Sequence, residues 1–136
     1  MTNAPVRDLV QFEEPREPGQ CCGFPRKSLR LDDRRSFKLA RLFKALSDPA
    51  RLQILDILAQ REGEVCVCDF EGTVGLPDET TGERPKQPTV SHHLRVLRES
   101  GLIDSCKRGQ WVYYFLRGEQ LGEIREFIDL IAGRGE

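Results

Sequence analysis

The chain is predicted to be mainly α-helical with a single β-hairpin, in the order α-α-α-α-β-β-α. Three observations predict this. Apolar residues from Asp32 onward recur near the 3.6-residue helical period and are interrupted once, at Ser47-Asp48-Pro49. A second amphipathic stretch runs from Pro88 to Glu99 and stops before Gly101. Beyond it, the turn residues Arg108-Gly109 precede Trp111-Val112-Tyr113-Tyr114-Phe115-Leu116, a β-branched and aromatic run.

The elements follow in order. Residues 1–30 show no periodicity and contain Pro5, Pro15, Pro18 and Pro25, so they read as an extended arm carrying Cys21-Cys22. Residues 31–136 read as the folded domain. In its first helix Phe37, Ala40, Phe43 and Leu46 form the inward stripe, widened by Leu39 and Leu42. An N-cap candidate followed by Pro49 opens the second helix, with Leu52, Leu55 and Leu58 inward and Arg61-Glu62-Gly63 closing it. A short third helix starts near Cys68-Asp69 and ends by Gly75, and the polar stretch at 77–86, PDETTGERPK, is a loop. After the fourth helix, Leu102-Ile103 leads into the hairpin, where Trp111, Tyr113 and Phe115 are expected to pack onto the core. A last helix occupies Glu119 to Ala132. Its Leu121, Ile124, Ile128 and Ile131 are spaced 3-4-3, the seam of a helix packed on a partner, within this chain or in a second copy.

Composition narrows the class. A chain of 136 residues, 38% hydrophobic and 32% charged, is globular and has room for one domain. No apolar run approaches the roughly 20 residues of a membrane span, and no apolar signal segment is visible, so a cytoplasmic location is expected. Five cysteines, an odd number, fit a disulfide framework poorly and leave thiols for ligation or redox chemistry. The net charge is only −1, but Arg84 to Arg117 holds seven basic residues against Glu99 and Asp104, a local +5 that leaves −6 for the rest. One face therefore suits a polyanion.

On the helix from Pro88 to Glu99, Val90, Leu94 and Leu97 share a narrow arc, whereas Thr89, Ser91, His92 and Arg95 lie opposite, with Arg98 at the edge. Arginine reads guanine bidentately, and hydroxyl groups meet phosphates and bases. Gln87 stands just before the helix, where recognition helices reach base edges. A short preceding helix and a basic hairpin with Arg108, Lys107 and Gln110 near its tip complete a winged helix-turn-helix for double-stranded DNA. His93 lies nearer the core and is expected to be packed and hydrogen-bonded.

The segments FKALSDPARLQILDIL, EVCVCDF, QPTVSHHLRVLRESGLI and KRGQWVYYFL, in that order over residues 35–132, closely resemble the ArsR/SmtB family of metal-sensing transcriptional repressors. The resemblance implies a homodimer, joined through its first and last helices, that represses a resistance operon and leaves operator DNA when metal binds. Phe37, Leu121, Ile124, Ile128 and Ile131 are its candidate interface residues. One departure is the loop: family members join the two helices of the motif by a few residues, whereas ten follow Leu76 here before Gln87-Pro88. Arg84 and Lys86 in that insertion are within reach of phosphate, though a passive loop is favoured because long surface insertions cost little.

Thiolates select thiophilic ions. Cys66 and Cys68 diverge by about 200° on a regular helix but point the same way in an extended segment entering one, the geometry that Glu64-Val65 and Asp69 suit. A helix N-terminus is expected to lower thiolate pKa there. EVCVCDF resembles the metal-binding segment of arsenic and cadmium sensors, yet Glu71 stands where some arsenic sensors carry a third cysteine. Cys21-Cys22 resembles the N-terminal pair by which other members complete a site. As(III) or Sb(III) takes three thiolates, as from Cys21, Cys22 and Cys66; Cd(II), Pb(II) or Zn(II) suits Cys21, Cys22, Cys66 and Cys68 together. Cys106 reads as a packed small hydrophobe. The last helix lacks histidine, so the second zinc site of the family is absent. A thiol redox sensor is the alternative on the same scaffold. An enzyme is unsupported, since neither C-x-x-C, nor a nucleophile–base pair, nor a phosphate-cradling glycine loop occurs.

Overall fold

The computed structural model describes residues 23, 25–61 and 65–133. Cys21 and Cys22 lie outside them, as do Glu62, Gly63 and Glu64. The chain divides into units 1–30 and 31–136. In the first, Arg26–Ser28 form a 3-10 turn.

The second unit starts with α1, Asp33–Leu46. Asp32 caps it, its carboxylate accepting from the Arg35 amide at 2.7 Å. The buried residues of α1 are Leu39, Leu42 and Ala45. This corrects the expected stripe: Phe37 is 67% exposed, Ala40 is exposed, and Phe43 is half-buried, edge-on to Phe127 with ring centroids 5.8 Å apart. The helix is apolar over a wider arc than its own core covers. Helix α2, Pro49–Gln60, is capped by Asp48, which accepts from the amides of Ala50 and Arg51. Ala50, Ile54 and Leu58 form its inner face. Leu52, expected inside, is 52% exposed because it lies about 200° round the helix from Ile54.

A strand that sequence periodicity did not reveal follows. β1, Val65–Cys66, leads directly into α3, Val67–Phe70. Beyond the loop come α4, Gln87–Glu99; β2, Ile103–Arg108; β3, Trp111–Leu116; and α5, Gly118–Ala132. The sheet runs β1-β3-β2 and is antiparallel throughout, with Val65 opposite Tyr114 and Ile103 opposite Leu116. Gly101 (φ 82°) lets the chain leave α4, and Gly109 (φ 62°) turns the hairpin.

The core is centred on Phe70, Ile54, Leu94, Leu97, Leu102 and Ile103, all fully buried. Register decides which face of β3 meets it. Ile103 and Val65 are core residues, so their partners Leu116 and Tyr114 turn inward with them. The expected set is therefore corrected: Trp111, Tyr113 and Phe115 take the other face of the strand, and Trp111 is 50% exposed. Among the described residues no helix is long and apolar enough to cross a membrane.

Candidate nucleic-acid interface and thiol site

Helix α4 separates its faces sharply. Val90, Leu94 and Leu97 are at most 1% exposed, whereas Gln87, Thr89, Ser91, His92, Arg95 and Arg98 are all exposed. Pro88 pre-sets the first turn, and exposed Lys86 precedes it. Ser91, His92, Arg95 and Arg98, with Tyr114, line a shallow groove of about 260 Å³. Arg95 has no protein partner among the described residues, so its five donors face solvent. Arg98 differs: its Nη1 donates to Ser105 Oγ on β2 at 3.2 Å, which turns it toward the hairpin. At the hairpin tip Lys107, Arg108 and Gln110 are exposed, with Arg108 paired in register to Trp111.

The insertion is folded. Asp78 accepts from the amides of Thr80 and Thr81 at 2.8 and 3.0 Å, and its own amide donates to the Glu83 carbonyl at 2.8 Å. The bonds from Thr81 and Thr80 hold the Asp78 carboxyl below its usual range. Arg84, expected within reach of phosphate, instead donates through Nη1 to the Gly75 carbonyl at 2.6 Å. The Gly75 amide in turn donates to Gln53 Oε1 at 2.6 Å. Gly75 is required there: its φ is 89°, and a Cβ would come within 2.5 Å of Pro85. Both loop cations are exposed, and Arg84 is the one tied to the backbone.

Cys66 ends β1 and caps α3 in the extended conformation (φ −79°, ψ 153°). Its amide donates to Asp69 Oδ2 at 3.0 Å, while its sulfur accepts from the Asp69 amide. Cys66 is buried and Cys68 exposed, and both are free thiols. The neighbouring Cys66 side chain as a hydrogen-bond partner, with lesser contributions from desolvation and from the charges of Cys66 and Asp69, pushes the Cys68 thiol above its usual range. The expected lowering is thus reversed at Cys68, because a four-residue helix has little dipole and the neighbouring sulfur dominates. The donor set fits a soft ion as far as it goes, with two thiols two residues apart. Among the described residues no three His, Cys, Asp or Glu side chains are grouped to hold a metal ion. Half-buried Cys106 lies across the sheet, with Tyr113 in register between it and Cys66.

The candidate interface residues divide. Leu121 and Ile124 are half-buried against the chain's own core, whereas Ile128 (41%), Ile131 (53%) and Phe37 are exposed. Salt bridges Arg35–Glu126 (3.4 Å) and Lys38–Glu123 (3.6 Å) hold α1 to α5. His93 is packed and hydrogen-bonded, as expected, but its partner was not foreseen: Arg51 Nη1 lies 3.0 Å from its Nδ1. No local pattern announces a bond between residues 42 positions apart.

Comparison with known proteins places this geometry. The family described as bacterial regulatory proteins of the arsR family matches residues 86–105, which hold α4 and the start of β2. An uncharacterised HTH-type transcriptional regulator of Methanocaldococcus jannaschii is 37% identical over 92 residues, 68% of this chain and 92% of that protein. The arsenical resistance operon repressor of Escherichia coli is 44% identical over 75 residues, 55% of this chain and 56% of the repressor. A cadmium resistance transcriptional regulatory protein homologue of Staphylococcus aureus is 39% identical over 88 residues, 65% of this chain and 64% of its own. The chain thus spans little more than half the Escherichia coli repressor and just under two thirds of the Staphylococcus aureus protein. Among solved structures, the homodimeric winged helix-turn-helix DNA-binding domain of a possible ArsR-family regulator from Mycobacterium bovis superposes with a TM-score of 0.51. It is 32% identical, over 76% of this chain and 88% of that one. The chain therefore belongs to the ArsR family of winged helix-turn-helix transcriptional regulators, and is not an enzyme.

Proposed function

We propose that this protein is a metal-responsive repressor that binds operator DNA as a homodimer and is released by trivalent arsenic or antimony. The observation that carries the reading is the placement of the dithiol. Cys66 caps α3 and Cys68 lies within it, and α3 packs directly against α4, the helix with the exposed Arg95. Gln87, Thr89, Ser91, His92, Arg95 and Arg98 read the major groove, and Arg108 and Gln110 approach the backbone or minor groove from the wing. Phe37, Ile128 and Ile131 are the apolar surface for the second copy, with Leu121 and Ile124 behind them; the homodimeric Mycobacterium bovis relative supports that assignment.

Cys66 and Cys68 supply two of the three ligands, and Cys21 or Cys22 the third, from the same copy or the other. A trivalent arsenic or antimony centre contributes three soft coordination positions when bound. Ligation would require the thiols to give up their protons to solvent, and the start of α3, which carries them, would be re-set against α4. By linkage, DNA must weaken ion binding by the same factor, on the order of 1–3 kcal/mol. A cadmium, lead or zinc reading, with all four thiolates, is supported by the cadmium resistance relative and shares every residue. The test is release from a DNA duplex that the wild-type protein selects from a randomised pool. Arsenite is expected to release the wild type but not Cys66→Ser or Cys68→Ser, both of which still bind the duplex; release from both variants would contradict the reading. Cadmium acting where arsenite does not would move it to the four-thiolate form.

A further inference from the structure

Helix α4 is held by its core residues, Val90, Leu94 and Leu97, through apolar contacts that carry no direction. The direction comes from elsewhere. Arg51, in the first turn of α2, donates from Nε to the Ala45 carbonyl at 2.6 Å and reaches the Lys44 carbonyl from Nη2 at 3.5 Å. Both carbonyls belong to the last turn of α1: that of Lys44 also accepts from the Ser47 amide and hydroxyl, whereas that of Ala45 has Pro49, which lacks an N–H, four residues on. Arg51 Nη1 meets His93 Nδ1 at 3.0 Å. A guanidinium has donors only, so Nδ1 is the acceptor and the ring proton sits on Nε2. Nε2 faces Asp48 Oδ1 at 3.8 Å, the same oxygen that caps α2. The His93 side chain is 12% exposed. One imidazole thus joins α4 to the α1–α2 corner through its hydrogen bond with Arg51, with Asp48 beside its other nitrogen.

We propose that His93 and Arg51 are positioning residues for DNA reading, setting the roll and tilt of α4 so that Thr89, Ser91, His92 and Arg95 present together to a groove. The proposal rests on α4 being the recognition helix. The neutral ring is the working form, because a proton on Nδ1 would face the guanidinium. The charged or titratable groups around His93 are Asp48 and Arg51 from the α2 corner and His92 beside it on α4. Desolvation is the largest influence and lowers the His93 pKa; Asp48 opposes this, while Arg51 and His92 add to it. A base whose pKa is lower in the folded protein than its unfolded value of about 6.5 favours the neutral form. The junction is therefore complete above that pH and is lost as pH falls through the folded value.

The experiment measures affinity of the full-length protein for a duplex selected by the wild type, at pH values between about 7.5 and 5.5. The variants are His93→Leu, His93→Asn, His92→Asn and Arg95→Ala, each checked for folding by circular dichroism. Asparagine Oδ1 can replace Nδ1 as an acceptor but does not titrate. His93→Leu is expected to bind roughly tenfold more weakly or worse, as for a lost hydrogen bond to a charged group. His93→Asn is expected to restore affinity and to flatten the loss on acidification, which persists in His92→Asn. Wild-type affinity in His93→Leu, or an unchanged pH profile in His93→Asn, would overturn the proposal while a weakened Arg95→Ala leaves the DNA assignment standing. An unaffected Arg95→Ala would remove the assignment itself, and the proposal with it. Nitrogen-15 spectra of the imidazole give a readout without DNA: the Nε2–H tautomer is expected, and the Nδ1–H tautomer would refute the junction.

Discussion

Helix α4 and the β1–α3 segment lie against each other, yet they are built on opposite plans. α4 is 13 residues long, with an apolar face sealed in the core and a polar face left open. The side chains proposed to meet DNA are all exposed on it within one copy. The β1–α3 segment is six residues of strand and single-turn helix carrying two free thiols. On the reading proposed above it is an incomplete ligand set. The contrast is then between a preorganised reader and a sensor that must recruit partners, recruitment being what allows an ion to change the state of the reader.

That contrast breaks first at the core. Leu94 is 1% exposed and carries α4 on its inner face. Leu94→Ala is expected to cost about 2–5 kcal/mol in urea unfolding, the range for a buried leucine truncated to a cavity. A loss below about 1 kcal/mol would mean that α4 is not anchored as described. A smaller and more selective effect is expected at the open face. Arg95→Ala should weaken binding to the selected duplex by about 1–3 kcal/mol, leave urea stability unchanged and leave thiol reactivity at Cys66 and Cys68 as it was. Uniform weakening across duplex sequences would assign Arg95 to phosphate instead of a base edge.

The two plans also explain what the sequence disclosed. The inner face of α4 could be read from Val90, Leu94 and Leu97 because 13 residues of regular period leave one solution. The hairpin was legible from its aromatic run, but not its facing. Alternation allows two parities, and the choice lies in the pairing of Leu116 with Ile103, which are distant in sequence. In α1 and α2 the apolar residues outnumber those the core can cover, so Phe37 and Leu52 were placed inward and lie outside. β1 is two residues long, too short for any period, and is created by β3. At the thiols, the extended entry could be anticipated from Val65 and Asp69. The rise in the Cys68 pKa could not, since it comes from the neighbouring Cys66 side chain, whose placement only coordinates reveal. The Arg51–His93 bond and the capture of Arg84 by Gly75 are likewise tertiary facts.

The central claim is that the dithiol segment and the DNA-reading helix share one equilibrium. Linkage tests it most directly: the affinity of the reduced protein for arsenite is measured alone and with saturating selected duplex, beside the affinity for duplex with and without arsenite. The account predicts that both affinities fall by one and the same factor, roughly 5- to 150-fold. Arsenite binding that is equally tight with and without DNA would contradict it.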